Sequence, residues 1–278
     1  AYDIESEIEW GKSSLDLLRS YYELEDPRKV TTPNPLVKEM WVQARLPTLS
    51  SEEEEEEFIE LKGKIDRIDV LPNNPSSDDR LQLQIIDYKT GKKPNFKYSK
   101  SVNDRISNEQ FWKMKVYALM LYKMISQTDA LSQQPNDQEG YKYAMPWTLQ
   151  QRLKQALTNN VANTPDWGSV LELNSLRLMY LTSHLDDDSI NDSNTATSGT
   201  GKAACLDYPL MGSQSSEIVP FLNEMELEVQ TIAKDIKILV DQQDPHAFKH
   251  CDWRYCSCHE LRRRFRPGSV YQSPELDA

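Results

Sequence analysis

Leu83-Gln84-Ile85-Ile86-Asp87-Tyr88-Lys89-Thr90-Gly91 is the stretch that decides how this chain folds. An apolar run leads into an acid and a lysine two residues apart, and on a strand such a pair projects from one face. A metal ligand and a group able to assist a base then stand side by side. Upstream, Phe58 to Val70 reads as another strand, carrying Gly63-Lys64-Ile65-Asp66-Arg67-Ile68-Asp69. If the two strands pair as a hairpin, Asp66 brings a second carboxylate to the same place. The link between them, Leu71 to Arg80, is rich in Pro, Asn, Ser and Asp and reads as a solvated loop.

A lone Asp-x-Lys means little, because acids and lysines two apart occur on most solvated surfaces. Three ordered elements are more specific: the Gly63 to Asp69 stretch, the Asp87-Tyr88-Lys89 strand, and a helix containing Val116-Tyr117-Ala118-Leu119-Met120-Leu121. Together they resemble the RecB-like branch of the PD-(D/E)xK nucleases. The resemblance implies an α/β fold with a restriction-endonuclease-like core, a central mixed sheet flanked by helices. It implies that Asp66 and Asp87 bind a divalent cation and that Lys89 assists the attacking water. Mg²⁺ or Mn²⁺ suits such a set, since hard cations take carboxylate and carbonyl oxygens and keep open positions, and the backbone carbonyl of Tyr88 would complete it.

Relatives also carry a glutamate on the preceding strand, which makes Glu39 a further candidate ligand; either Glu39 or Glu60, on the next strand, could equally be a solvated strand residue. Relatives place a Gln-x-x-x-Tyr pair on the following helix, where this chain has Lys113 and Tyr117. A lysine reaches a phosphate as a point charge but accepts no hydrogen bond. Both residues are candidate DNA contacts, and a core role for Tyr117 is equally open. The histidine that many relatives use upstream has no counterpart, since no His precedes His184.

Composition sets limits. A net charge of −12 over 278 residues argues against indiscriminate electrostatic binding to a polyanion. Glu52 to Glu57 and Asp186 to Asp188 are dense acidic runs that read as solvated insertions. Against them stand Lys89, Lys92, Lys93, Lys97 and Lys100, where a phosphate backbone would approach the site, and Arg262, Arg263, Arg264 and Arg266. Lys92 and Lys93 are the DNA-binding candidates of the first group. No apolar run reaches the ~20 residues needed to cross a bilayer, so no membrane is expected. The start, Ala1-Tyr2-Asp3, shows neither initiator Met nor signal pattern and is expected to be a fragment boundary.

Periodicity predicts helices over residues 3–25, 109–125, 148–158 and 217–240, the second opened by a capping box at Ser107 to Gln110. Strands are predicted over residues 36–46, 58–70, 81–90 and 173–182. Residues 127–144 and 183–205 are expected to be polar loop insertions, the second of them low-complexity. The expected organisation is a nuclease-like domain over 1–245 and a cysteine-bearing appendage and tail over 246–278.

In that appendage Cys251, Cys256 and Cys258 fall within eight residues. RecB-like nucleases often hold a [4Fe–4S] cluster with such a group, but the spacing differs and no cysteine precedes Cys205. Cluster, zinc completed by His250 or His259, and plain thiols all stay open. Few, crowded cysteines suit a reduced intracellular protein, of unspecified compartment, better than a secreted one.

The activity that the resemblance implies is metal-dependent hydrolysis of DNA phosphodiesters, exonuclease-like, on single strands or free ends in repair or recombination, with a helicase or repair complex as partner. The alternative is a catalytically silent DNA-binding or scaffolding module that keeps the fold.

Overall fold

The computed structural model describes residues 3–26, 28, 34–49, 57–71, 80–91, 93–133, 136–157, 166–181, 204–210 and 218–243. Its elements are α1 (Ile4–Leu24), β1 (Asn34–Pro47), β2 (Phe58–Val70), β3 (Leu81–Lys89), α2 (Lys100–Gln133), α3 (Trp147–Ala156), α4 (Trp167–Val170), β4 (Leu171–Tyr180), β5 (Ala204–Pro209) and α5 (Ile218–Asp241), with a 3₁₀ turn at Gly140–Tyr143. By compactness the chain divides into two units, Ala1–Gln230 and Thr231–Ala278. All five strands belong to the first. The expected boundary at 245/246 lies outside the described residues.

The sheet has the order β1-β2-β3-β4-β5. Strands β1, β2 and β3 form an antiparallel meander, β3 and β4 are parallel, and β4 pairs antiparallel with β5. This is the mixed, helix-flanked α/β sheet expected from the sequence. The parallel pair needs a long crossover, and α2, α3 and α4 supply it. Helix α2 covers one face because Phe111, Met114, Ala118, Leu121, Met124 and Ile125 recur at helical spacing and are all buried. Burying each such large side chain contributes about 1.5–3 kcal/mol. They meet Val42, Ala44, Ile65, Ile68, Ile85, Leu176 and Leu178 of the sheet in one core.

Several boundaries differ from the sequence reading. Helix α2 starts at Lys100, and Ser107 lies inside it, so the expected capping box caps nothing; Asn103 instead ties the entering chain through bonds to Phe96 O, Tyr98 O and Tyr98 N–H. The helix also runs to Gln133, taking the first seven residues of the expected 127–144 loop, because Thr128 and Leu131 are buried against the structure beyond. Cys205 lies in strand β5 rather than in a loop, where Arg177 and Asp207, cross-strand partners, are joined at 2.6 Å. Residues 183–203, the rest of that expected insertion, lie outside the described residues.

Helix α1 is capped by Asp3, which accepts the Glu5 N–H at 3.1 Å. Its apolar stripe of Ile4, Ile8, Leu15, Leu18 and Tyr22 is exposed, and the buried positions are Ser20 and, at its end, Glu25. Polar bonds at that end tie it to the sheet.

Candidate active site

Strands β2 and β3 pair only from Arg67↔Ile86 to Val70↔Leu83, whereas β2 stays paired to β1 along almost its whole length. Continuing the register one step brings Asp66 level with Asp87, at the point where β2 leaves β3. The Asp66 carboxylate takes the place of the missing ladder acceptor, receiving the Tyr88 N–H at 3.0 Å. Within a strand the N–H and C=O of one residue face the same side, so the Tyr88 carbonyl also looks into this gap. The next carbonyl, that of Lys89, faces the other way and accepts the Leu181 N–H at 2.9 Å.

Asp87 is 3% exposed. Its Oδ1 accepts from Lys113 Nζ at 3.1 Å, and its Oδ2 lies 2.6 Å from Lys89 Nζ. That Oδ2 is buried and has no donor in hydrogen-bond geometry. Lys113 also sits 5.0 Å from the centre of the Tyr117 ring. Burial pulls the Lys113 ammonium down, but the Tyr117 hydroxyl and the Asp87 carboxylate outweigh it, and its pKa lies above the ordinary lysine value. Two carboxylates and two ammonium groups thus share the front of the strand ends.

Alternation sends the residue after each acid to the back of the sheet. There Arg67 is 2% exposed and Asp69 fully buried. Arg67 donates to both oxygens of Asp69 at 2.6 and 2.5 Å, to Glu25 Oε2 at 2.5 Å and to the Tyr88 hydroxyl at 3.1 Å. Tyr21 donates to Glu25 at 3.0 Å and meets Tyr88 edge to face at 6.1 Å. Burial works against the Arg67 cation, yet the oxygens of Asp69, Glu25 and Tyr88 more than offset it. Burial, with the charge of Glu25, pushes the Tyr21 hydroxyl up to about 12.

Glu39 is level with Asp66, bracketed by the pairs Lys38↔Arg67 and Met40↔Ile65. It adopts φ of 55°, a left-handed backbone that costs a non-glycine residue about 1–3 kcal/mol. Alternation slips there, so that Val37 and Met40, three apart, are both buried, as are Ile65 and Ile68 opposite. The Glu39 side chain is exposed and ion-paired with Lys64. Glu60 is bound by Lys142 and Tyr143 at 2.7 and 2.5 Å. Those bonds, with Lys62, hold its carboxyl down to about 2.

The structure therefore brings together Asp66, Asp87, Lys89, the Tyr88 backbone and Lys113. It places Glu39 at the same level on β1 and buries Tyr117 over Gly63. Lys93 follows β3 and is partly exposed. Lys92, Cys251, Cys256 and Cys258 lie outside the described residues. Arg67, Asp69 and Glu25 were not singled out from the sequence. Strand parity would have placed Arg67 and Asp69 together behind Asp66, but no local signal points to Glu25. A cavity of about 760 Å³ lined by Trp112, Lys115, Tyr208 and Phe221 includes none of the acidic site residues.

Among the described residues no group of three or more His, Cys, Asp or Glu side chains is arranged to hold a metal ion. Two carboxylates and a carbonyl still fit a hard divalent cation, which retains several waters, and the buried Asp87 Oδ2, whose near neighbour is the Lys89 ammonium at 2.6 Å, is the kind of hard acceptor such an ion takes. No helix among the described residues is long and apolar enough to cross a membrane.

No curated protein and no solved structure matched the chain. The model of the PD-(D/E)XK nuclease superfamily matches residues 2–261. Its restriction-endonuclease-like fold is the five-stranded architecture described above, with Asp87-Tyr88-Lys89 closing β3. The chain belongs to the PD-(D/E)XK nuclease superfamily.

Proposed function

We propose that this chain is a Mg²⁺- or Mn²⁺-dependent deoxyribonuclease of the RecB-like type, acting exonuclease-fashion on single strands or free DNA ends in repair or recombination. The observation that carries this reading is the meeting of Asp66, Asp87 and Lys89 where β2 parts from β3, with the buried Asp87 Oδ2 2.6 Å from the Lys89 ammonium. Asp66, Asp87 and the Tyr88 carbonyl would hold the cation, with Glu39 as a further ligand once released from Lys64. When bound, the cation supplies an activated water and neutralises charge on the scissile phosphate.

The chain's own groups do the rest. The Tyr88 N–H fixes the rotamer of Asp66, leaving its carboxylate turned into the gap. Lys89, one-third exposed, has three donors with which to orient the water and stabilise the developing oxyanion. Lys92, Lys93 and Lys113 present positive charge to the phosphate backbone, which an acidic chain needs locally if it is to approach DNA. Tyr117 supports the helix that carries Lys113. In this reading residues 246–278 are the appendage whose Cys251, Cys256 and Cys258 hold an iron–sulfur cluster or zinc or remain plain thiols, which metal analysis of the purified protein decides.

The test is cleavage of linear duplex, linear single-stranded and circular single-stranded DNA and of RNA with Mn²⁺. Asp87→Ala and Lys89→Ala should each lower the rate at least about 100-fold while the far-UV circular dichroism is unchanged. Equal rates in wild type and both variants would overturn the mechanism. One observation favours a second reading, a catalytically silent DNA-binding or scaffolding module: an ammonium, that of Lys113, already engages Asp87. DNA binding without cleavage under any divalent ion would support it.

A further inference from the structure

The residue following each candidate metal ligand faces the back of the sheet, and there the two are bonded to one another: Arg67 donates to the Tyr88 hydroxyl at 3.1 Å. This bond runs from Arg67, a member of the last backbone pair of β2 and β3, Arg67↔Ile86, to Tyr88, two residues beyond that pair on β3. Backbone bonds no longer fix how far the strands stand apart beyond that pair. A side-chain tie does so instead, behind the gap into which Asp66 and the Tyr88 carbonyl face.

The tie is itself anchored. Asp69 grips the guanidinium with both oxygens, and Glu25, 42 residues upstream at the end of α1, takes the remaining donor edge. All three charged groups are buried, their side chains at most 5% exposed. Stability alone explains such a cluster poorly. Removing charges from water is costly, and buried ion pairs can often be replaced by apolar groups without loss. Within it Glu25 Oε1 is buried and has no hydrogen-bond partner. What a planar, five-donor fork provides that apolar packing does not is a fixed distance and angle between three separate chain segments.

We propose that Arg67 is a positioning residue for the cation site: through Tyr88 on one side and its own neighbour Asp66 on the other, it sets the separation of Asp66 and Asp87 on the front of the sheet, with Glu25 fastening the arrangement to α1. The inference rests on the metal-site reading given above. It goes beyond that reading by assigning the site's geometry to a network on the opposite face.

The test measures Mn²⁺ affinity by calorimetry, independently of cleavage, together with thermal melting. Tyr88→Phe removes only the hydroxyl and leaves Arg67, Asp69 and Glu25 paired, so it should fold as wild type. Arg67→Lys keeps the charge and removes the fork. In relatives of other metal proteins, groups that hold ligands in place are worth about 10- to 100-fold in affinity. Tyr88→Phe should weaken Mn²⁺ binding about tenfold with little change in melting temperature, and Arg67→Lys should weaken it at least as much. Where cleavage is measured, half-saturation by Mn²⁺ should rise while the rate at saturating Mn²⁺ is largely recovered. Wild-type binding that is lost in Asp87→Asn but unchanged in Tyr88→Phe would overturn the positioning role and leave the site intact. A wild type with no Asp87-dependent binding at all would overturn both the site and the inference built on it.

Discussion

Gly63 lies directly beneath the ring of Tyr117, so close that a Cβ added to it would stand 2.5 Å from Tyr117 Cε1. The glycine opens the stretch that carries Asp66, and Tyr117 sits one helical turn from Lys113, so this contact sets how near α2 comes to the strand. Gly63→Ala should force the buried ring aside and cost about 1–3 kcal/mol in chemical denaturation. Unchanged stability would mean that α2 is free to move off β2.

Lys113 occupies one oxygen of Asp87, its Nζ 3.1 Å from Oδ1. A cation at that oxygen competes with any other. Lys113→Gln should therefore tighten Mn²⁺ binding, by about twofold to fivefold because the lysine is half exposed and solvent screens its charge. Calorimetric titration checks this, and weaker binding in the variant would show that Lys113 is not a competitor.

Glu60 gives the fold a titratable anchor between β2 and the 3₁₀ turn. Hydrogen bonds from Lys142, then Tyr143 and Lys62, depress its carboxyl to about 2 from the ordinary 4.5. A depressed acid stabilises the fold above its unfolded pKa and loses that contribution as pH falls toward the folded one. Wild type should thus lose stability more steeply than Glu60→Gln between pH 4.5 and 2, while above pH 5 the difference between them stays constant. Melting temperatures across that range decide it; parallel curves would remove the anchor.

Asp129, on α2, accepts the N–H groups of Trp167 and Gly168 at 2.8 Å each. It closes the first turn of α4, which leads into β4. Asp129→Ala leaves both donors without that acceptor and should cost about 1–3 kcal/mol. Hydrogen exchange at Trp167 and Gly168 should speed up in the variant, and unaltered protection there would refute the assignment.

The sequence by itself determined the parts of this protein whose signals are local. Apolar residues before Asp87-Tyr88-Lys89 and the spacing of Phe111, Met114, Ala118 and Leu121 each report which side chains must leave water. They placed β2, β3 and the core of α2 within a few residues of where they lie. Parity along two strands also brought Asp66, Asp87 and Lys89 toward one another. The edge strand β5 was not legible, because half-buried Ala204 to Pro209 becomes a strand only through pairing with β4, including Arg177 to Asp207. Nor was the slip at Glu39, the ion pair of Lys113 with Asp87, or the union of Arg67 with Glu25. Those depend on which distant segments share a low-dielectric interior, where charges 42 positions apart must find each other or stay in water. Tertiary packing alone makes that choice.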